Sequence, residues 1–204
     1  MKNFSLFILI FSLNFLTSLA GTLTPSEKSK VAIELPYSMG THEFSAKAFS
    51  GKIEWDEKAN EIKSGELKLA IEAIKVKKSE LKCHMMEALG LDYKASKFPK
   101  SHVCNNDDEL PKDGPDSIKY PEITGTLLSP LKMGENEAKV SWQIHGKIKE
   151  MTMPVTLTKG EGGELVVLNS KWKLKLSDFD IIVKKFLFIA VKDDVSLNMT
   201  LSLR

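Results

Sequence analysis

The sequence predicts an all-β protein, an up-and-down antiparallel barrel of about eight strands with one short helix and one loop excursion. Two observations carry this prediction. Apolar and polar residues alternate with a period of two along much of the chain, and short glycine-containing stretches separate the alternating runs. The run 194–203 is the clearest case, because every second residue from Val195 to Leu203 is apolar and the residues between them are polar.

The first twenty residues are typical of a signal peptide rather than of the fold. Lys2 precedes a mostly apolar run at 4–16, and the small-x-small triplet Ser18-Leu19-Ala20 follows it. That run is short for a membrane span, so a single-pass anchor is the less favoured alternative. We therefore predict a signal peptide over 1–20.

The remaining residues, 21–204, have the length of a single domain with a sizeable core. Their longest apolar run, 186–191, is too short to cross a bilayer. After cleavage we expect a soluble protein, periplasmic or secreted, and not an integral membrane protein. The formal net charge is +2 and the only arginine is Arg204. Nucleic-acid-binding proteins usually cluster basic residues with arginine prominent, so we exclude that class of partner.

Eight alternating runs define the predicted strands, each with one apolar and one polar face. They are 30–37, 42–55, 63–77, 120–132, 137–148, 150–159, 164–178 and 194–203. The turn sequences 133–138, 145–146 and 160–164 each contain glycine, which favours antiparallel hairpins. Closure protects the edges of long strands, so a barrel is favoured over a sandwich. Its outer face is rich in lysine and glutamate, which indicates a barrel in water rather than in lipid.

Within the second predicted strand, the apolar positions change sides. They change from even-numbered residues, Phe44 to Ala48, to odd-numbered residues, Phe49 to Trp55, and Gly51 lies beside the change. A β-bulge or sharp bend at Gly51 would accommodate it, as a curving sheet requires.

The run 145–159 has a different kind of face. Every second residue from Met151 to Leu157 is apolar, while threonines and Pro154 fill the places between them. The apolar side holds no acid, base or metal ligand. It is therefore predicted to contact a packed core, a neighbouring sheet or an apolar ligand.

The segment 79–122 interrupts the alternation. Ser79 is a plausible N-cap and Gly90 a stop signal for a short helix, and a polar, acidic loop follows. Aligned as an EF-hand-type loop, it would place Pro111, which has no side-chain oxygen, at a ligand position. A solvated surface loop is therefore favoured over a calcium site.

The two cysteines, Cys83 and Cys104, both lie in this segment. In an exported protein they can form a disulfide. The bond would close a loop of about 20 residues and contribute roughly 3 kcal/mol in the chain-entropy model. Two free thiols are the alternative, and a metal site at Cys83-His84 is disfavoured.

The sequence shows no recognisable catalytic or metal-binding motif. It lacks a G-x-S-x-G elbow, an H-E-x-x-H pair and a phosphate loop, and its Ser-x-x-Lys repeats lack the companion Lys-Thr-Gly strand. The histidines are not spaced in sequence as the ligands of a metal site usually are. Each is therefore predicted to be a turn or surface residue. They are His42, His84, His102 and His145. We predict no catalytic residue, no metal and no cofactor.

Taken in order, several stretches resemble the YceI-like family of exported bacterial proteins. They are "THEFSAKAFSGKIEW" (41–55), "SGELKLAIEAIKV" (64–76), "LKCHMMEALGLDYKASKFPKSHV" (81–103), "HGKIKEMTMP" (145–154), "KLKLSDFDIIV" (173–183) and "VKDDVSLNMTLSL" (191–203). The chain departs from the family signatures at Ile148, where threonine is usual, and at Asp180, where glycine is usual. The loop 104–118 resembles an insertion.

The resemblance implies a lipocalin-like barrel that binds an amphiphilic polyisoprenoid chain in its interior. Methionine suits such a lining because its thioether adapts to irregular shapes. The residues that we expect to face inward and line the ligand are Phe44, Trp142, Ile144, Met151, Met153, Leu174, Leu197 and Met199. For each of them, ordinary barrel core without ligand contact is the alternative.

Three functions remain open from the sequence. The favoured one is a non-catalytic periplasmic protein that carries or sequesters an isoprenoid-type lipid. The second is a protein-interaction module whose barrel is filled by its own side chains and whose binding surface lies on the outside, with the segment 79–122 as the example. A homodimer is a separate possible partner. The third is an enzyme acting on a lipid or quinone, with His42 or His145 at the barrel mouth.

Overall fold

The computed structural model describes residues 20–76, 79–92, 94–96, 110–111, 113–182 and 190–204, which form a curled antiparallel sheet with one α-helix. The predicted signal peptide lies outside these residues except for Ala20. The strands are β1 Ala20–Leu23, β2 Lys30–Tyr37, β3 Gly40–Ala46, β4 Phe49–Asp56, β5 Glu61–Ala70, β6 Lys75–Val76, β7 Glu122–Leu127, β8 Leu131–Lys132, β9 Gly134–Ile144, β10 Lys147–Lys159, β11 Leu165–Lys175 and β12 Asp194–Leu203. The helix is α1, Ser79–Gly90, and a 3₁₀ turn, Leu176–Phe179, follows β11.

The strand pairings run around a ring that returns to its starting strand. Only Lys47 and Ala48 separate β3 from β4, so the two form one bent strand. From β4 the antiparallel pairs pass through β5, β7, β9, β10, β11, β12 and β2, and β2 then pairs with β3. This pairing is that of an up-and-down barrel, which confirms the predicted fold class.

The strand count also agrees with the prediction once short pieces are joined. The sheet has twelve strands. β5 continues as β6, which pairs with β3, and β7 continues as β8, which pairs with β5. Joining β3 with β4, β5 with β6 and β7 with β8 leaves eight long strands and the short β1, which pairs with β4.

The predicted bend in the second strand is real, but its position was wrong. The ladder of β3 ends at Ala46 and that of β4 begins at Phe49, so the change of inward parity falls at Lys47 and Ala48. Gly51 serves another purpose. Its φ is +142°, and a Cβ there would lie 2.0 Å from the Glu66 carbonyl oxygen. Glycine is therefore required for the close approach of β4 and β5 rather than for the bend.

The turn prediction at 133–138 was also wrong, because β9 already begins at Gly134. The predictions for β2, β12 and α1 match the observed bounds.

The helix packs at one end of the barrel. Its residues Met85, Met86 and Ala88 are buried, and Gly90 lies against the side chains of Ile71 and Ile118, where a Cβ would crowd both. The helix therefore covers part of one end of the barrel, the end at which strand β6 terminates.

The predicted disulfide falls partly outside the described residues. Cys83 is 7% exposed on α1 and is not a free thiol. Cys104 belongs to the part of the chain that is not described, so the Cys83–Cys104 bond stays a prediction.

Asp56 closes the hairpin between β4 and β5. Its carboxylate accepts the backbone N–H groups of Lys58 and Ala59 at 2.9 and 3.0 Å, and it lies 2.6 Å from Lys63 Nζ. The Lys63 ammonium and the Ala59 N–H lower the pKa of Asp56 from 3.8 to about 2. The ionised form is therefore favoured in the folded protein.

We predict that Asp56→Asn destabilises the protein at neutral pH and that the difference from wild type shrinks as the pH falls from about 4 to about 2. A carboxylate whose pKa is lowered on folding stabilises the fold above its unfolded pKa and loses that effect on protonation. Urea denaturation at several pH values measures it, with Glu57→Gln as a matched control on the exposed neighbour. A destabilisation that stays constant across this range would contradict the prediction.

Candidate functional site

The strand register defines the inward face of the barrel. Leu197 and Met199 of β12 pair with Ile33 and Val31 of β2, and Phe44 of β3 pairs with Ile33. Paired residues project to the same side of a sheet, so these side chains share one face. All of them belong to one apolar cluster, which places that face inside the barrel.

The predicted lining residues lie together in this interior cluster. They are Phe44, Trp142, Ile144, Met151, Met153, Leu174, Leu197 and Met199. Their inward placement follows from the same alternation that predicted it. Their contact with a ligand stays a prediction.

The interior is filled at one end and more open at the other. Leu157, Leu201 and Leu203, near the ends of β10 and β12, are at most 3% exposed. Met151 and Leu197 face the same interior at the opposite end but are only partly buried. The inward-facing Ile144, Leu174 and Val195 at this second end are buried, so the partial exposure is confined to positions such as Met151 and Leu197. We call this end the mouth.

Two residues that the sequence analysis did not name as lining residues pack against Trp142. Trp172 stacks on Trp142 with ring centroids 5.3 Å apart. Gly125, on the opposing strand β7, leaves room for the Trp142 ring, because a Cβ there would lie 2.7 Å from it. Trp172 continues the inward parity of Leu174, so the alternation along β11 could have identified it.

His145 is a buried residue at the mouth that contacts several structural elements. It occupies the two-residue turn between β9 and β10 with φ +50°, followed by Gly146 with φ +72°. Positive φ at both positions is the geometry of a type I′ hairpin turn, as the His-Gly pair predicts. The ring packs edge-on against Tyr120, with centroids 4.8 Å apart. The expectation of a turn residue is correct, but a surface position was wrong, since His145 is 9% exposed.

Both ring nitrogens of His145 contact backbone carbonyl oxygens. Nδ1 lies 3.0 Å from the Phe179 oxygen and Nε2 lies 2.7 Å from the Leu91 oxygen. A carbonyl oxygen only accepts hydrogen bonds, so each ring nitrogen that carries a proton donates to the carbonyl beside it. His145 thereby ties the β9–β10 turn to the end of α1 and to the 3₁₀ turn. We call this set of contacts the His145 clamp.

Charged pairs surround the mouth. Lys147 Nζ lies 2.7 Å from Asp180 Oδ2, and Lys149 Nζ lies 2.5 Å from Asp178 Oδ2. The Lys147 ammonium lowers the pKa of Asp180, and that carboxylate raises the pKa of Lys147. Asp180 is left-handed, with φ +53°. Aspartate tolerates this conformation better than most residues, which explains how it replaces the glycine of the family signature.

The other histidines do not form a site with His145. His42 stacks on Tyr37 with centroids 4.2 Å apart, and His84 Nδ1 lies 3.6 Å from Glu87 on α1. His102 lies outside the described residues. Among the described residues, no group of three histidine, cysteine or acidic side chains is arranged to hold a metal ion. No helix in that part of the chain is long and apolar enough to cross a membrane.

The closed ring of antiparallel strands and its apolar interior define the chain as a lipocalin-like up-and-down barrel. The model of the YceI-like domain matches residues 22–203, so the chain belongs to the YceI-like family. This finding confirms the family resemblance of the sequence. No curated protein matches the chain.

Solved structures share this fold. A polyisoprenoid-binding domain from Saccharophagus degradans, implicated in plant cell wall breakdown, is 11% identical, with a TM-score of 0.62 over 91% of this chain and 98% of its own. BcnA of Burkholderia cenocepacia is 18% identical, with a TM-score of 0.61 over 86% and 96%. The YCEI protein of Campylobacter jejuni is 18% identical, with a TM-score of 0.52 over 78% and 82%. At these identities the likeness shows the fold.

We predict that His145→Leu lowers the free energy of unfolding by about 2 kcal/mol, because the hydrogen bonding of the ring to buried backbone carbonyl oxygens is lost. His145→Asn is the control, since asparagine tolerates positive φ but cannot reach both oxygens. Thermal unfolding of both variants measures the effect. Comparable losses indicate the ring contacts. A normal Asn variant would contradict the clamp and assign the loss in the Leu variant to backbone strain.

Proposed function

We propose that the protein carries or sequesters an amphiphilic isoprenoid-type lipid inside the barrel, without catalysis and in the periplasm. The observation that supports this function is the partly accessible apolar lining of the mouth half, where Met151 and Leu197 face inward without being fully buried. The predicted signal peptide supports the location. The polyisoprenoid-binding relative from Saccharophagus degradans supports the class of ligand.

The driving force for binding is the removal of apolar surface from water. An isoprenoid tail gains roughly 25 cal/mol for each Å2 of apolar area that is buried, before the cost of association is subtracted. The filled end limits how deep a tail can go. Its polar head group would therefore stay near the mouth, beside the charged rim of Lys147, Asp180 and their neighbours.

The clamp at His145 favours a carrier over an enzyme. Its two ring nitrogens are engaged by backbone oxygens, and His42 is stacked on Tyr37. His145 is thus not presented to the interior as a base, whereas His42, two residues before Phe44 on β3, lies on the inward face and stays the candidate residue of the enzyme alternative.

An interaction module is the second candidate, and a feature of the outer face favours it. A groove of about 730 Å3 crosses β9 to β12 at the level of Pro154, Leu168 and Thr200. Leu168 is 42% exposed there.

We predict that Met151→Glu lowers the affinity for a fluorescent farnesyl analogue by about tenfold or more, because a carboxylate inside an apolar cavity is strongly disfavoured. Thr152→Glu, one residue further along the same strand and facing outward, should bind within about twofold of wild type. Fluorescence titration measures both, and circular dichroism checks that both variants fold. Equal affinities for the two variants would contradict binding in the interior.

A further inference from the structure

The wall of the barrel is incomplete between β10 and β11. β10 pairs with β9 from Lys147 to Leu157, but its pairs with β11 run only from Thr156 to Lys159. Among the described residues, the β10–β11 ladder thus stops at the pair Thr156–Leu168. From there to the mouth the two strands are neighbours without a ladder. We call this stretch, between 147–155 and 169–175, the seam.

Pro154 explains why the ladder stops. Its carbonyl oxygen accepts a hydrogen bond from Asn169 Nδ2 at 2.6 Å, so that oxygen faces β11. In a strand, the N–H and the C=O of one residue point to the same side. The N–H that proline lacks would therefore have bonded to β11. Proline in sheets is confined to such unpaired edges.

β11 is irregular at the same level. Its register with β12 shifts between Asn169 and Trp172, which is the signature of a bulge. Asn169 is 2% exposed, and its Oδ1 has no hydrogen-bond partner among the described residues. One side-chain hydrogen bond therefore replaces the backbone ladder here, and a buried acceptor is left unsatisfied. Such a region opens more readily than a fully paired strand.

Two ion pairs close the seam at the mouth. Lys147 and Lys149 of β10 pair with Asp180 and Asp178, which lie on or beside the 3₁₀ turn after β11. We call these pairs the latch. All four side chains keep solvent exposure, from 26% to 52%. Exposed ion pairs contribute little to stability and exchange readily with water, so the latch is reversible.

Apolar side chains stand on both sides of the latch. Outside, Ile148 is 70% exposed and Ile182 is 62% exposed. Inside, Met151 of β10 and Leu174 of β11 belong to the interior cluster. The seam thus connects an exposed apolar surface with the apolar interior.

We propose that the seam is a lateral portal through which the apolar tail of the ligand enters and leaves the barrel, and that the latch controls its opening. This inference rests on the proposed function, since it assumes a lipid with an apolar tail. A tail that slides in sideways between the strands does not need to be drawn through the mouth, which α1 and the His145 clamp partly cover. The departure at Asp180 from the family glycine supplies one carboxylate of the latch.

Charge reversal tests the latch. Lys149→Asp and Asp178→Lys each place like charges across the seam, and the double variant K149D/D178K restores the pair with its sign exchanged. We expect each single variant to speed the transfer of a fluorescent farnesyl analogue to vesicles roughly three- to tenfold with little change in affinity, and the double variant to return to the wild-type rate. Lys28→Glu is the matched control, because it reverses the charge of the exposed Lys28, which pairs with Glu164 at 3.1 Å at the filled end of the barrel. It should leave the transfer rate unchanged.

Hydrogen exchange of the lipid-free protein separates the portal from the proposed function. The amides of 150–153 and of Val155 should exchange faster in both single variants and recover in the double variant, while those of β9 away from β10 stay unchanged. If all variants bind the lipid normally and the single variants transfer it at the wild-type rate, the portal is overturned and the proposed function is unaffected. If neither the wild type nor any variant binds the analogue, but hydrogen exchange changes as expected, the proposed function is overturned. The seam would then open without serving as a lipid portal. Transfer that the double variant does not restore would also overturn the latch.

Discussion

The closure of the sheet depends on one bent strand. β3 and β4 are continuous across Lys47 and Ala48, and the pairing ring returns to its start only because one half of this strand pairs with β2 and the other with β5. Closure gives the alternating residues of every strand a common inside. The buried apolar cluster and the polar, solvent-exposed outer face both follow from that geometry.

The barrel combines rigid and weakly held parts. The filled end packs leucines that are at most 3% exposed, and Asp56 fixes a hairpin turn there through backbone N–H groups and Lys63. The mouth is held instead by side-chain contacts, namely the His145 clamp and two exposed ion pairs. A lipid carrier needs this division, because it must keep its cavity while it admits and releases a ligand.

The local pattern of apolar and polar residues was sufficient to predict the fold. The site was harder to predict because it depends on contacts between residues that are distant in sequence. The period of two located β2 and β12, and capping signals located α1, because those signals lie within each element. The bend was predicted at the wrong residue because the sequence shows a glycine at position 51. The role of Gly51 is instead the close approach to Glu66 on the neighbouring strand. The burial of His145 depends on Leu91 and Phe179, which are distant in sequence, so spacing among histidines could not reveal it.

The most direct test of lipid carriage is native mass spectrometry of the protein, produced from its full sequence and purified without detergent, together with analysis of its organic extract. A stoichiometric adduct of isoprenoid mass, released on denaturation, is the expected result. Bare protein that also takes up no isoprenoid analogue would contradict the proposed function. In that case the outer groove at Leu168 would become the place to seek a partner.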